Sequence, residues 1–558
     1  RADHYSRREF KRFIIQNTLS NIETNVSVEA DASVDACAKI HESYLKGKNS
    51  SDTYYTDYYD LETCFKTFKF NATRANKAYN LYDNMITSTI KGILENFYPF
   101  LDQAKEPPQP GFTFQPTDII SKLDALLNNQ YSTDFQFIAI KIFNDVTDSN
   151  LIDCEVVTIN SRPAMEVLIE FANERTFTSK DLGVRFNSVI SSLSLSNNNI
   201  RVSPLTQQFT KSRILPEKPN SNSYWNNFCA ATATPAPINP LNTFGDYSKT
   251  YDSMISNAQM VFNGTSSRFY MLNQTGIAMI STLSPTVDEQ EQMITILQGF
   301  NKLNEMGAKK IVLDLTDNSG GLISVAEFVN ILLFPNTNPS FPSDAKVTNF
   351  STLAIQTATT GQISDSIFEA QQYASFSTEQ VFNTSQDFIG NNVYTRETQV
   401  RYTNKFIHAE NRAIIQQVLG NSPPKYPWTS KNIIILTNGI CGSSCAIIAQ
   451  HLAELQGVAT IAVGGFADTP LSFSSFAGGE AFNSYALFKD LFELGLLDNP
   501  LSPQPFDLYG TLAFPIFEIY SVKNDQEVLE FSYRKADHRL FYDEKSVRDP
   551  SLLWMQAS

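Results

Sequence analysis

One stretch constrains this chain more than any other: Asn432-Ile-Ile-Ile-Leu-Thr-Asn-Gly-Ile-Cys-Gly-Ser-Ser-Cys-Ala-Ile-Ile-Ala-Gln-His-Leu452. The apolar run Ile433 to Leu436 is short enough to be a buried strand. A turn containing Gly439 and Gly442 follows. Ala446, Ile447, Ala449, Leu452 and Leu455 then recur at close to helical spacing until Gly457 stops the pattern. Ser443 and Ser444 therefore sit where a strand hands over to a helix. A hydroxyl there meets free backbone N–H groups and the positive end of the helix dipole, a good place for a nucleophile and an oxyanion. The plain alternative is that Ser443 is only an N-cap.

A second stretch, Lys309-Lys-Ile-Val-Leu-Asp-Leu-Thr-Asp-Asn-Ser-Gly-Gly321, repeats the design. The strand Ile311 to Leu315 runs into a Gly pair and then a helix-like segment, Leu322 to Phe334. Gly320 and Gly321 can turn their N–H groups to a ligand with no side chain in the way.

Together these stretches resemble the tail-specific (carboxyl-terminal processing) serine peptidase family, and within it the secreted fungal-type branch. The resemblance implies that the Ser-Ser-Cys-Ala slot carries the nucleophile, Ser444. It also implies that Gly320, Gly321 and the Cys445 amide are the oxyanion donors. It runs from about Cys37 to Trp554, with different loops between. The C-terminal Phe531-Ser-Tyr-Arg-Lys-Ala-Asp-His-Arg-Leu-Phe-Tyr and Leu553-Trp554 carry much of it.

The 558 residues, 42% of them hydrophobic, permit two to four domains with an ample core. A net charge of −15 argues against nucleic acid or an anionic membrane as partner. No apolar run reaches the ~18 residues of a membrane span. The chain begins Arg1-Ala-Asp, consistent with a removed leader. Sequons stand at Asn25, Asn49, Asn71, Asn263, Asn273, Asn349 and Asn383. The six cysteines, Cys37, Cys64, Cys154, Cys229, Cys441 and Cys445, lack metal-ligand spacing. Neither a metal nor another cofactor is expected. A secreted protein is expected, mainly from the resemblance. The branch carries both Cys37 and Cys64, and their disulfide is the favoured pairing there, with two buried thiols as the alternative.

Residues 1–30 read as a polar lead-in and 31–150 as a mainly helical region. In 151–229 the stretch from Val156 to Phe171 resembles the strand–turn–helix of a small PDZ-like β module, which binds an extended peptide as an added strand; an ordinary β–turn–α unit fits equally. Residues 230–244 are a Pro-rich linker. From 245 to 558 strand-like and helical runs alternate, which predicts an α/β core. The resemblance implies that this core is a spiral of ββα units, as in ClpP/crotonase-like folds. Residues 340–425 show no clear period and are expected to be loops inserted over the core.

A serine hydroxyl needs a base within hydrogen-bond reach. The branch places a His in Asp-Gly-His-Phe. Here Asp148-Ser-Asn-Leu puts Asn150 in that slot, and an amide cannot take a proton near neutral pH. The branch also has a Glu that orients the His, and Arg534 stands in its place. Other members use a Lys after the nucleophile, but Gly478-Gly-Glu-Ala-Phe has none. His451 lies two turns along the helix from Ser444, roughly 10 Å away at 1.5 Å per residue. His538, His408 and His4 offer little. The leading expectation is a peptidase-fold scaffold that binds a peptide or protein segment with impaired catalysis. An active endopeptidase with an unrecognised base is the alternative, and a carrier of small apolar ligands a third.

Overall fold

The two anchoring runs lie side by side in one sheet. Ile433 stands opposite Ile311 and Leu436 opposite Asp314, in parallel register. The computed structural model describes residues 88–126, 158–190 and 255–558, except 160–161, 177–178, 265, 285–287, 364–365, 397–398, 421–422, 477, 507–511 and 548. Asn150, the cysteines Cys37, Cys64, Cys154 and Cys229, and the segments 1–30 and 230–244 lie outside the described residues.

Helices α1 (88–97) and α2 (Ile119–Leu126) come first, then a two-stranded hairpin of Thr158–Ile159 and Arg162–Pro163 with α3 (Ala164–Arg175) and α4 (Leu182–Ile190). Next are β1 (Gln259–Asn263), β2 (Ser267–Leu272), β3 (Thr275–Ile280), α5 (Glu289–Glu305), β4 (Lys310–Asp314) and α6 (Ile323–Leu333). The segment that follows holds β5 (Ser343–Val347), α7 (Asn349–Gly361), β6 (Tyr373–Ser375), β7 (Asn392–Thr395), β8 (Gln399–Tyr402), β9 (Phe406–His408) and α8 (Ala409–Leu419). The chain closes with β10 (Ile433–Thr437), α9 (Ser444–Gln456), β11 (Ala459–Val463), β12 (Phe517–Ile519), β13 (His538–Leu540) and α10 (Pro550–Ala557).

The main sheet has the order β13-β11-β10-β4-β3-β2-β1. It is parallel from β13 to β3 and antiparallel across β3, β2 and β1. Its central strands are buried on both faces, which is why they read as continuous apolar runs. Alternation along β4 sends Ile311 and Leu313 to one core with Ile296, Phe300 and Leu332 of α5 and α6. Val312 goes to the opposite core, which α10 closes with Trp554. The Trp554 ring lies 5.1 Å from Tyr270, and its N–H donates to Asp314 at 2.7 Å.

The helix ends follow local chemistry. Asp288 caps α5 through the Gln290 amide, with Glu289 and Glu291 in the first turn. Gly457 ends α9 in the left-handed region, φ 68°.

Residues 340–425 are not loops over the core. They build most of a second, antiparallel sheet of order β6-β9-β5-β8-β7, with β12 also paired to β5. This sheet and α7 have their own core, including Phe350, Tyr373, Phe388, Phe406 and Phe517. Strands of three to five residues are too short to show a period, so an aromatic-rich stretch looked structureless in sequence.

Candidate active site

The site is the contact between two turns, one leaving β4 and one leaving β10. Asn318 and Asn438 tie them together. The Asn318 side chain donates to the Ile280 carbonyl at 2.9 Å and accepts the Gly320 amide at 2.8 Å. Its carbonyl accepts the Gly442 amide at 3.2 Å. Asn438 accepts the amides of Asp317 and Ile440 and donates to the Asp317 carboxylate at 2.8 Å. Asn187 of α4 fastens the same region, donating to the carbonyls of Asn438 and Val463 and accepting the Gly465 amide. Asn and Asp are suited to such turns because their short side chains bond nearby backbone.

Gly320 and Gly321 have φ of +101° and +152°. A Cβ on Gly320 would lie 2.5 Å from the Gly442 carbonyl oxygen and 3.1 Å from the Ser444 amide nitrogen. A Cβ on Gly321 would lie 2.0 Å from the Leu283 carbonyl carbon. Only glycine allows the two turns to touch here. The structure thus brings Ser444, Cys445, Gly320 and Gly321 to one junction.

The three expected oxyanion donors are not equivalent. The Cys445 amide is spent on the Gly442 carbonyl at 3.0 Å, closing the tight first turn of α9. The Gly320 amide is spent on Asn318. The Gly321 amide, and that of Ser444 at the head of the helix, have no hydrogen-bond partner among the described residues.

Ser444 stands in the nucleophile slot, where an accessible hydroxyl is needed. Its side chain is instead fully buried, and its hydroxyl has no hydrogen-bond partner among the described residues. It opens the first turn of α9 among the buried Cys445, Ala446 and Ile447. The half-buried serine of this turn is Ser443. Ser443 has φ 52° and ψ −128°, and its side chain makes no cap. That conformation costs a non-glycine residue about 1–3 kcal/mol and persists only where surroundings impose it. They do so here. The Ser443 amide donates to the Phe476 carbonyl at 2.6 Å, and Cys441 and Cys445 form a disulfide across the turn. The plain reading of Ser443 as an N-cap does not hold, since its side chain makes no cap hydrogen bond.

Arg534 is not placed to act on this turn. Its guanidinium pairs with Glu454 at 2.5 Å and Glu527 at 2.8 Å. Glu454 is ten residues along α9 from Ser444, about 15 Å at 1.5 Å per residue. Burial opposes the charge on Arg534, but the two carboxylates outweigh it and raise its pKa.

The three described histidines are engaged or remote. Nε2 of His451 lies 2.8 Å from the Asn338 carbonyl, and burial lowers its pKa. Nε2 of His408 is 2.8 Å from Glu480; burial opposes its charge, but Glu480 and more distant carboxylates raise its pKa. His538 is exposed on the edge strand β13. No His, Lys or Arg hydrogen-bonds to Ser443 or Ser444 among the described residues. Among the described residues no cluster of His, Cys, Asp and Glu could hold a metal ion, and no helix is long and apolar enough to cross a membrane.

No family model matches the chain. It is similar to the Peptidase S41 family protein ustP of Aspergillus flavus, 23% identical over 306 residues, which is 47% of this chain and 63% of that protein. It is also similar to the Peptidase S41 family protein phomP1 of Diaporthe leptostromiformis, 24% identical over 356 residues, 52% of this chain and 53% of that one. The chain therefore matches less than two thirds of the length of either. Among solved structures, mature CPAF aligns at 14% identity over 52% of this chain and 50% of that chain, with a TM-score of 0.27, too low for the superposition to carry an argument. In sequence, the chain resembles the tail-specific (S41) serine peptidase family across about half its length.

Proposed function

We propose that this is a secreted serine-peptidase-fold protein whose catalysis is impaired and whose junction serves to bind a peptide or protein segment. One observation carries the reading: two serines stand at a helix N-terminus beside a Gly pair, and neither hydroxyl has a base among the described residues. Asn150 in the base slot supports it from the sequence side. In finer detail, the core is read as a spiral of ββα units, and the hairpin with α3 and α4 as part of a PDZ-like module. A shallow, open depression beside that hairpin, lined by Thr113, Arg162, Glu166, Asn173 and Leu182 among others, is compatible with a binding role. The free Gly321 and Ser444 amides would hold a carbonyl oxygen. They would stabilise an oxyanion, but they do not make an alkoxide.

The second reading is an active serine endopeptidase acting through Ser443. The strained backbone of that residue favours it, since such strain gathers at functional sites. Incubation with a quenched, unfolded protein substrate separates the two. The expected result is cleavage no faster than with the Ser443→Ala/Ser444→Ala double variant. A working triad would exceed that variant by several orders of magnitude.

A further inference from the structure

The second sheet buries two carboxyl groups opposite each other. Asp344 of β5 and Glu518 of β12 are cross-strand partners, and neither is exposed to solvent. Among the described residues the one cation in contact with the pair is already committed: Arg396 donates two hydrogen bonds of 2.6 Å to the two oxygens of Glu518. Among the described residues Asp344 is hydrogen-bonded only by neutral donors, the hydroxyls of Tyr394 at 2.8 Å and Tyr520 at 3.4 Å. The Tyr520 hydroxyl also bonds Glu518 and so joins the two carboxyls. Tyr402 adds a bond to Glu518 and anchors to the Pro99 carbonyl, beyond the end of α1.

The other charges nearby do not complete the balance. Lys405 sits over the Tyr520 ring, 4.0 Å from its centroid, and its ammonium bonds the Asp525 backbone. Lys346, on β5 itself, acts with Glu95 and Asp102 as well as with Glu518. Two acids buried from solvent beside one engaged guanidinium leave one negative charge too many.

We infer that Asp344 and Glu518 hold a single proton between them in the folded protein, and that its loss loosens the second sheet as pH rises. Burial, and then the charge of Glu518, push the Asp344 carboxyl well above the usual carboxylate range, in line with this geometry. With the folded pKa raised, this stability is fully present below the unfolded-state pKa of about 4. It is lost as pH rises through the folded value.

The test is the pH dependence of unfolding for the whole chain and for Asp344→Asn, whose amide keeps the tyrosine contacts without a charge. The wild-type unfolding constant should rise relative to that of the variant by about tenfold per pH unit between the ordinary carboxylate pKa and the raised one. Hydrogen exchange in β5, β7, β8 and β12 of the wild type should quicken over the same range, ahead of β3 and β4. If the variant does not fold, the wild type still tests the inference: a carboxylic-acid C=O infrared band should be present at neutral pH, and its loss on alkalinisation should coincide with the quickened exchange of the second sheet, which separates it from the contributions of the buried Asp314 and Glu327. Parallel pH profiles for the two proteins, or no acid band at neutral pH, would overturn the inference.

Discussion

Arg396→Met is expected to destabilise the protein by about 3–5 kcal/mol, the usual cost of stranding one partner of a buried ion pair. Glu518 is fully buried, and the Arg396 side chain is only 12% exposed. Solvent screening therefore does little to soften the loss. The same side chain lies against the rings of Tyr394 and Tyr402, with 5.4 and 4.9 Å from guanidinium carbon to ring centroid, so packing is lost with the charge. Urea unfolding measures the effect. The double variant Arg396→Met/Glu518→Gln should recover much of the loss, because no buried charge is then left unpaired. A loss below about 1 kcal/mol for the single variant, the range of a surface pair, would show that Glu518 is not held as described.

Gly321→Ala is expected to cost roughly 2–5 kcal/mol, from overpacking and backbone strain together. The new Cβ would sit 2.1 Å from the Ser284 amide nitrogen as well as 2.0 Å from the Leu283 carbonyl carbon, and both are backbone atoms that cannot step aside. The bridge between Leu283 and Gly321, closed by the Leu283 and Leu322 amides, would open and displace the free Gly321 amide. Gly457→Ala is the control. Its φ of 68° and ψ of 33° are left-handed but nothing lies within 4 Å, so only the conformational cost of about 1–2 kcal/mol applies. Equal losses for the two variants, read from chemical denaturation, would contradict the close approach of Gly321 to the Leu283–Ser284 backbone.

The strands and turns of the junction were legible because each apolar run was bounded by a Gly-containing turn and followed by a helical period. Ile311–Leu315 and Ile433–Leu436 belong to adjacent strands of one sheet, and Gly457 ends α9. The second sheet was not legible. Its strands are short, and its pairing of β5 with β12 joins residues more than 170 positions apart. The surroundings of Arg534 were not legible for a similar reason. A slot comparison could not reveal that Glu454, 80 residues away, holds its guanidinium. At the serine pair the missing information is purely conformational. A φ of 52° at Ser443 decides which serine is half-buried and which is sealed, and composition does not encode it.

The most direct measurement of the central claim is fluorophosphonate labelling of the intact chain, with the adduct located by peptide mass spectrometry. Serine nucleophilicity depends on proton removal, and no described group is placed to accept the proton. The account predicts no adduct at Ser443 or Ser444 above the level in the Ser443→Ala/Ser444→Ala variant at neutral pH. Rapid, stoichiometric labelling of the unmodified protein, abolished by Ser443→Ala or by Ser444→Ala alone, would contradict it and establish a working nucleophile at this turn.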